Sequence, residues 1–495
     1  MAVPEIPTAR FESIINKYPE WIIALPDGSL FPARAHEIRL RPGGSEMELE
    51  LPTDFGLIRI VPVSINLTDD SITVVCYSGG DEQTEVSLIP RIESVGIQSV
   101  INDARTERAH AIAKAFEGME EPLRVMRLDF SSDGGRLVTI FCEDRWKRER
   151  LVMADVSDSL SAEYLLSSAL LRLEERSCAD RGAAKGIALV LPRKAARGLV
   201  GLRSTLRGKV RESVEIYESE TSEDGVGLKR LTDKTIRHRS KPPIKIDVGN
   251  ISPGRRIEVE SLIRSLSKLA PHEIDVVNSS AGWTLRYHGL PFLRIRVVGD
   301  STRYWVGVGT RRREVTEKIL VNEVARLISS LAEYRRHDPP TRRHEYYKLA
   351  PEAWLESMLL RNIERLDPNL VATPVYNQFK TGQERIDIFA ARADGRPVII
   401  EVKVGQDREA LFQSIDYWRK LESARAKNGK FFQEIFGQGI SENKSPLIYI
   451  VAPLLSFHPD FEFLIECIDP GIKVCRFELN EDWRRQIRVH RRVEY

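Results

Sequence analysis

One stretch in the C-terminal third of the chain, residues 383–417, constrains the fold more than any other segment. Apolar residues alternate with polar ones over residues 385–392, which is typical of a half-buried β-strand. Asp394 and Gly395 follow as a strong turn signal. Residues 397–404 then have the composition of a second strand, with Pro397 at its start, where a missing N–H group costs little. The pattern predicts a β-hairpin.

Three charged side chains, Asp387, Glu401 and Lys403, interrupt this largely apolar hairpin. Glu401 and Lys403 are two residues apart on one strand and therefore share a face of the sheet. A strict two-residue loop would set Asp387 opposite Val402, whereas an odd-length loop or a β-bulge would set it beside Glu401 or Lys403. We predict the odd loop or the bulge, because a site built from these groups needs all three together. The plain alternative is an edge strand that carries solvated charges.

One helix is predicted before the hairpin in the sequence and another after it. The helix that follows it, residues 407–426, carries Gln413 and Tyr417 on one face, because the two residues are four positions apart. The helix that precedes it, residues 352–366, carries several acidic residues, among them Glu356. Two helices and a charged hairpin therefore converge on one candidate site.

This combination resembles the PD-(D/E)XK nuclease superfamily, the restriction-endonuclease-like fold, over about residues 351–476. Asp387 matches the first acidic position of the family motif, although Ile386 replaces the proline of the family's name. Glu401 and Lys403 match the E-x-K part. The segment from Gln413 to Tyr417 is similar to the Q-xxx-Y motif of the RecB-like branch.

The resemblance implies a metal-dependent deoxyribonuclease. In such chemistry a metal ion neutralises charge at the phosphate and lowers the pKa of a bound water. Mg²⁺ is the implied cofactor, with Mn²⁺ able to substitute, and its ligands would be Asp387, Glu401 and the Val402 carbonyl. Lys403 would orient or deprotonate the attacking water and stabilise developing charge. The other residues implied are Glu356, for a second metal ion or a metal-bound water, and Gln413 and Tyr417, for positioning the site or the phosphate.

Composition narrows the protein class without pointing to a ligand. At 495 residues the chain is long enough for two to four domains. A hydrophobic share of 42% with 29% charged residues is ordinary for a soluble globular protein. The net charge of only +2 means that any nucleic-acid surface must be local. The five cysteines lack C-x-x-C spacing, which argues against a zinc site and a disulfide scaffold.

A cytoplasmic location is expected. The N-terminal residues carry charges throughout and lack the apolar segment of a signal peptide, and no run of 18 apolar residues predicts a membrane span.

The expected fold class is multidomain α/β and α+β, with a C-terminal restriction-endonuclease-like core, a mixed central sheet flanked by helices. The predicted parts are a β-rich module, a sandwich or barrel, over 1–103, an α/β module over 104–218, a linker over 219–243, an α+β accessory module over 244–337 and the nuclease-like domain over 345–495.

Two basic segments are candidates for contact with nucleic acid. Arg203 and Arg207 belong to a basic, helix-prone segment, residues 192–211, for which a solvated face is the plain alternative. Arg311, Arg312 and Arg313 follow strands in which arginines alternate with aromatic residues. The plain alternative there is that the aromatic residues form a core.

DNA is the expected partner, in repair, recombination or defence. No P-loop or helicase motif is present, so the nuclease would work without ATP or with a separate helicase, and a homodimer is an open alternative. Endonuclease and exonuclease action both stay open. One alternative is a binding protein that uses a nuclease-like fold without turnover. Another is a nuclease gated by a ligand or partner at residues 104–218.

Overall fold

The computed structural model describes most of the chain: residues 8–25, 30–43, 46–53, 56–68, 71–77, 83–91, 94–131, 135–178, 186–222, 225–232, 244–245, 253–279, 282–298, 301–371, 379–381, 384–437 and 439–495. The chain divides into two compact units. The first comprises residues 1–104 and 309–312, and the second comprises residues 105–308 and 313–495. No helix in the described ranges is long and apolar enough to cross a membrane.

The first unit is mostly β-structure, as the sequence predicted. Its elements are α1 (Thr8–Ile15), β1 (Glu20–Ala24), β2 (Leu30–Arg34), β3 (Arg39–Gly43), β4 (Glu46–Thr53), β5 (Gly56–Ile60), β6 (Pro62–Leu67), β7 (Ile72–Tyr77) and β8 (Gln83–Pro90). One sheet has the order β2-β1-β8-β7-β6 and the other β3-β4-β5. Trp21 is fully buried, and its indole nitrogen donates to the Ile15 carbonyl (2.9 Å). Over the part of the chain described, neither sheet closes into a barrel.

An α/β segment begins the second unit. Its elements are α2 (Ser94–Glu117, which starts in the first unit), β9 (Arg124–Phe130), β10 (Leu137–Glu143), β11 (Glu149–Asp155), α3 (Ala162–Cys178), β12 (Ile187–Pro192), α4 (Arg193–Arg203), α5 (Gly208–Ser213), β13 (Val214–Ser222) and β14 (Gly225–Leu231). The sheet order is β14-β13-β12-β11-β10-β9, with β11, β12 and β13 parallel. The middle strands are apolar along their length because both faces of the sheet are covered.

The predicted linker over residues 219–243 is wrong in its first half. β13 runs on to Ser222, and residues 225–231 form β14, which pairs antiparallel with it from Ile216↔Leu231 to Ser222↔Gly225. The segment is polar because β14 is the outer strand of the sheet, where charged side chains reach solvent. Residues 233–243 lie outside the described residues.

The accessory segment contains both helices and strands, and its status as a separate module stays a prediction. It contains α6 (Pro253–Ser267), β16 (Ile274–Ser279), β17 (Gly282–Tyr287), β18 (Leu290–Val298), β19 (Ser301–Val306), β20 (Arg313–Val315) and α7 (Glu317–Tyr334), preceded by the short β15 (Ile244–Lys245). The main sheet runs in sequence order from β16 to β20. The predicted hairpin turns at His288 and Gly289, whose φ angles are 43° and 77°. Most of the aromatic residues form a core, the plain alternative: Trp283, Tyr287, Phe292 and Tyr304 are buried.

The C-terminal segment contains the predicted hairpin. Its elements are α8 (Glu345–Lys348), α9 (Pro351–Arg361), α10 (Ile363–Leu366), β21 (Phe379–Thr381), β22 (Glu384–Arg385), β23 (Ile388–Ala391), β24 (Pro397–Val402), α11 (Ala410–Lys427), α12 (Phe431–Phe436), β25 (Leu447–Pro453), α13 (Phe461–Glu466), β26 (Val474–Leu479) and β27 (Val489–Glu494). The sheet β23-β24-β25-β26-β27 is mixed, with β24, β25 and β26 parallel and both outer pairs antiparallel. Residues 372–378, most of a predicted first strand, lie outside the described residues, and the restriction-endonuclease core stays a prediction.

Helix α11 joins the C-terminal segment to the α/β segment through one continuous hydrophobic core. Side chains of α3, α4, α11, β24 and β25 all belong to this core. Gly201 of α4 lies directly against the Arg419 guanidinium of α11, where an added Cβ would sit 2.6 Å from Arg419 Cζ. Because α11 also packs on its own sheet, the α/β segment covers the second side of the helix that carries Gln413 and Tyr417.

A buried arginine connects the accessory segment to α9. Arg335, which is fully buried, follows α7, and its guanidinium donates to five main-chain carbonyls, those of Tyr287, His288, Tyr346, Leu349 and Ala350. The same guanidinium lies 4.7 Å above the Trp354 ring of α9. Burial lowers the pKa of Arg335 to about 9, with the nearby Arg484 and Arg286 charges adding to the fall, so the group remains charged at neutral pH.

Replacement of Arg335 tests this connection. Arg335→Met keeps the apolar bulk but leaves the five carbonyls without their charged donor, so we expect a loss of about 3 kcal/mol or more in the free energy of unfolding. Urea unfolding followed by tryptophan fluorescence measures the change. The neighbouring Arg336 is half-exposed and donates to the Asp338 carbonyl, so Arg336→Met is the matched control and should change stability by less than about 0.5 kcal/mol. Equal effects of the two substitutions would contradict the assigned role of Arg335.

Candidate active site

The hairpin has the odd-length loop that the sequence predicted. β23 and β24 pair from Ile388↔Ile400 to Ala391↔Pro397. Arg392 N donates to the Arg396 carbonyl (2.9 Å), which closes a loop of three residues between them. Gly395 takes φ 76° in that loop, and a side chain there would meet the Gly439 carbonyl. Asp387 lies directly before β23, and it is near enough to Glu401 to raise the pKa of that carboxyl.

Asp387 and Glu401 are held by different contacts. Asp387 Oδ2 accepts a hydrogen bond from Val402 N (3.0 Å), which fixes the carboxylate over the end of β24. Glu401 is 4% exposed, and its Oε1 lies 3.2 Å from Lys403 Nζ. Its second oxygen, Oε2, is buried and accepts no hydrogen bond from any described residue. A buried carboxylate oxygen of this kind is available to a ligand.

Lys403 occupies the centre of the site. Its main-chain N donates to the Val451 carbonyl (3.0 Å), which anchors the residue to β25. Its Nζ lies 3.2 Å from Glu401 Oε1, 2.9 Å from Asp407 Oδ2 and 3.0 Å from Gln413 Oε1. These three acceptors match the three N–H groups of an ammonium ion, whereas a neutral amine has only two.

The electrostatics of the site are dominated by carboxylates. Burial raises the pKa of the Glu401 carboxyl well above its usual range, and Asp387 adds to the rise, while Lys403 opposes it. Burial alone would lower the pKa of Lys403, but Glu401 and Asp407 outweigh it and raise that pKa above its ordinary value. The lysine therefore stays charged among several acidic groups.

Two acidic residues of this cluster escaped the sequence analysis. Asp407 pairs with Lys403, and the spacing of four residues between them in the sequence could have indicated this ion pair. Glu352 lies in the first turn of α9, and its pKa responds to the charges of the site. Burial raises the pKa of Glu352, Lys403 opposes the rise, and Asp387 and Asp407 add to it, so Glu352 lies within the field of the site. Its position one helical turn before Glu356 could have indicated that the two carboxylates share a face of the helix.

The remaining predicted residues are placed on the expected helices. Gln413 of α11 contacts the site through Lys403 Nζ. Tyr417, one turn further along α11, is buried in the core shared with the α/β segment. Glu356 is buried on α9, 3% exposed. The catalytic roles of Glu356 and Tyr417 stay predictions, as does the Val402 carbonyl as a metal ligand.

Whether a metal ion fits the site depends on the oxygen atoms that are available to bind it. Among the described residues, no three His, Cys, Asp or Glu side chains are grouped so that they would hold an ion together. The predicted set contains only two carboxylates and a main-chain carbonyl. Such a set suits Mg²⁺, which prefers oxygen ligands and keeps several waters. The unbonded Glu401 Oε2 fits a divalent cation.

The predicted nucleic-acid arginines have intramolecular partners. Arg203 donates to the Val214 carbonyl (3.1 Å). Arg207 donates through its main-chain N to the Cys467 carbonyl and through Nε to the Ile468 carbonyl, so it joins the α/β and C-terminal segments. Arg313 pairs with Glu323 (2.6 Å). Arg311 and Arg312 also have interactions within the protein. A DNA-binding role for these five residues stays a prediction.

Comparison with known proteins adds little. No family model matches the chain, and no curated protein matches it. A solved structure described as "Structure of EndoMS in apo form" is similar at 10% sequence identity, over 37% of this chain and 83% of that chain, with a TM-score of 0.16. A similarity at this TM-score carries no argument about fold or function.

The carboxylate cluster yields a prediction about stability. Glu401→Gln removes a buried negative charge but keeps an oxygen that can accept from Lys403, so we expect the variant to be more stable by about 1–2 kcal/mol in buffer with EDTA. Urea unfolding at neutral pH measures the free-energy difference. Glu364→Gln, at an exposed site on α10, should stay within about 0.5 kcal/mol of the parent protein. A clear loss of stability in Glu401→Gln would mean that the carboxylate charge stabilises the fold.

Proposed function

We propose that this protein is a metal-dependent deoxyribonuclease that hydrolyses phosphodiester bonds. The observation that carries the proposal is the convergence of Asp387, Glu401, Lys403 and Gln413 at one end of a hairpin. The resemblance of these residues to the PD-(D/E)XK nucleases supplies the reaction and the substrate class. A role in repair, recombination or defence belongs to the same proposal, as do DNA as the partner and a cytoplasmic location.

Asp387 and Glu401 would hold the metal ion, with the Val402 carbonyl as a third ligand. Mg²⁺, or Mn²⁺ in its place, would supply charge neutralisation at the phosphate and a bound water of lowered pKa. The hydrogen bond from Val402 N fixes the Asp387 carboxylate, and Glu401 offers its unbonded Oε2. Asp387, directly before β23, and Glu401, on β24, are therefore both positioned by the hairpin, as a preorganised site would require.

Lys403 would act as a fixed positive charge. Its three acceptors use all the N–H groups of an ammonium ion in the resting arrangement. On substrate binding, one of these bonds would be exchanged for a phosphate oxygen or the attacking water, and the charge would stabilise the developing negative charge. This role favours orientation and charge stabilisation by Lys403 over proton removal. Gln413 and Asp407 would hold the Lys403 side chain in place.

Cleavage by matched variants tests the proposal. Full-length protein is incubated with labelled single-stranded, double-stranded and branched DNA in Mg²⁺, Mn²⁺ or EDTA. We expect metal-dependent cleavage, and a fall of about 100-fold or more in Asp387→Asn and Lys403→Ala, because each removes a group that would act on the transition state. Asp394→Asn and Lys444→Ala are the controls, since this ion pair lies at the loop end of the same hairpin.

Three outcomes separate the alternatives. Cleavage that is lost in the site variants and kept in the controls supports the nuclease. Cleavage that is unchanged in Lys403→Ala contradicts the assigned site. Tight DNA binding without cleavage under any of these conditions favours a binding protein or a nuclease that needs an effector.

A further inference from the structure

A cavity of about 550 Å³ lies in the α/β segment and takes no part in the site described above. Its walls come from the amino-terminal ends of the parallel strands β11, β12 and β13, the chain after α2 and the turn between β10 and β11. Ligand pockets typically have volumes of about 300–1,000 Å³, so the cavity is large enough for a small organic ligand. Its lining, which combines aromatic, apolar and charged groups, indicates the kind of ligand.

The turn between β10 and β11 presents an exposed tryptophan to the cavity. Trp146 is 57% exposed, although a tryptophan on the surface forfeits much apolar burial. The turn is well braced, because Asp144 Oδ1 accepts from both Trp146 N (2.9 Å) and Arg148 N (3.0 Å). Lys147 takes the left-handed conformation at φ 60°. The tryptophan is therefore held at this position by its own turn.

Guanidinium groups surround the tryptophan. Arg145 and Arg148 lie over the Trp146 ring, with their Cζ atoms 3.9 and 4.4 Å from its centroid. Arg148 is also bonded to Asp144 (2.7 Å), but among the described residues no carboxylate pairs with Arg145. A planar guanidinium with free N–H groups can bind a phosphate through two parallel hydrogen bonds.

The floor of the cavity is apolar, with polar groups at its side. Phe116 and Tyr217 are buried, and their rings pack edge to face at 5.2 Å. Glu215 accepts from the Tyr217 hydroxyl (3.2 Å) and from Arg230 (3.0 Å), and it lies 3.7 Å from Arg150. One carboxylate therefore serves two arginines at this side of the cavity.

The overall charge of the lining does not select an anion by itself. Its four arginines, Arg145, Arg148, Arg150 and Arg230, are balanced by four acidic residues, Glu120, Glu121, Asp144 and Glu215. Attraction must therefore come from particular guanidinium groups and from stacking. A ligand that satisfies both has a planar ring joined to a phosphate group.

We propose that this cavity binds a nucleotide, with its base stacked on Trp146 or on the guanidinium planes beside it and its phosphate held by Arg145. A base has a face that stacks on tryptophan and arginine, and its phosphate matches the guanidinium fork. The same chemistry has two sources, a free nucleotide and a nucleotide within a single strand. Binding here is independent of cleavage and does not rest on the proposed nuclease activity.

Calorimetric titration of the full-length protein in EDTA tests the proposal. The probes are AMP and a short 5′-phosphorylated single-stranded oligonucleotide. We expect saturable binding that weakens about tenfold or more in Trp146→Ala, because base–aromatic stacking contributes about 1–3 kcal/mol per base. Arg145→Ala should weaken binding of the same probe. Lys147→Gln is the matched control, since Lys147 belongs to the same turn but does not line the cavity.

The outcomes distinguish the two sources and the failure of the idea. AMP binding that depends on Trp146 and Arg145 identifies a site for a free nucleotide. Binding of the oligonucleotide alone, with the same dependence, identifies a site for a strand. Absence of binding by both probes, or binding that Trp146→Ala and Arg145→Ala leave unchanged, overturns the proposal. Lys444→Ala, which lies outside both sites, should bind both probes as the parent protein does. Cleavage measured with the cavity variants then tells loss of the nuclease apart from loss of this site. Unfolding midpoints of the two cavity variants confirm that they are folded.

Discussion

The candidate site depends on the contacts that the Lys403 ammonium group makes with its neighbours. This group lies between Glu401, Asp407 and Gln413, which come from the hairpin, the following loop and helix α11. Asp387 and Glu352 add further acidic groups nearby, and the Lys403 charge lowers the pKa of both Glu352 and Glu401 against the effect of burial. Burial of charge without full compensation costs stability, and such a cost is tolerated where a bound cation or a substrate completes the site.

The scaffold around this charge is built from more than the C-terminal segment. Helix α11, which carries Gln413, packs on its own sheet and also on α3 and α4 of the α/β segment. Arg207 and the close approach of Gly201 to Arg419 extend the same interface. Gln413 therefore reaches Lys403 from a helix that is packed on two sides.

The local parts of the structure follow from the sequence. Alternating apolar residues and the turn at Asp394 and Gly395 predicted the hairpin, and the predicted odd loop is present because Gly395 can adopt a positive φ. The spacing of four residues predicted that Gln413 and Tyr417 share a helical face; Gln413 contacts Lys403, whereas Tyr417 lies in the core shared with the α/β segment. These features depend on neighbours in the chain, which the sequence displays directly.

The parts that the sequence did not reveal depend on contacts between distant segments. Glu352 approaches Lys403 because of where α9 packs, and Arg207 is used at an interface because α4 meets the C-terminal segment. The segment that begins at Ser219 was predicted to be a linker because it is polar and charged. Part of it forms a strand that pairs on one side only. Composition cannot separate an outer strand from a loop when both are polar.

Binding of Mn²⁺ tests the central claim most directly, because it needs neither a substrate nor turnover. Calorimetric titration of the full-length protein should give one saturable site that is lost in Glu401→Gln and kept in Asp394→Asn. That result would tie the cation to the carboxylates beside Lys403. Saturable binding that persists in Glu401→Gln, or no saturable binding in the parent protein, would contradict the assignment of this cluster as a metal-dependent active site.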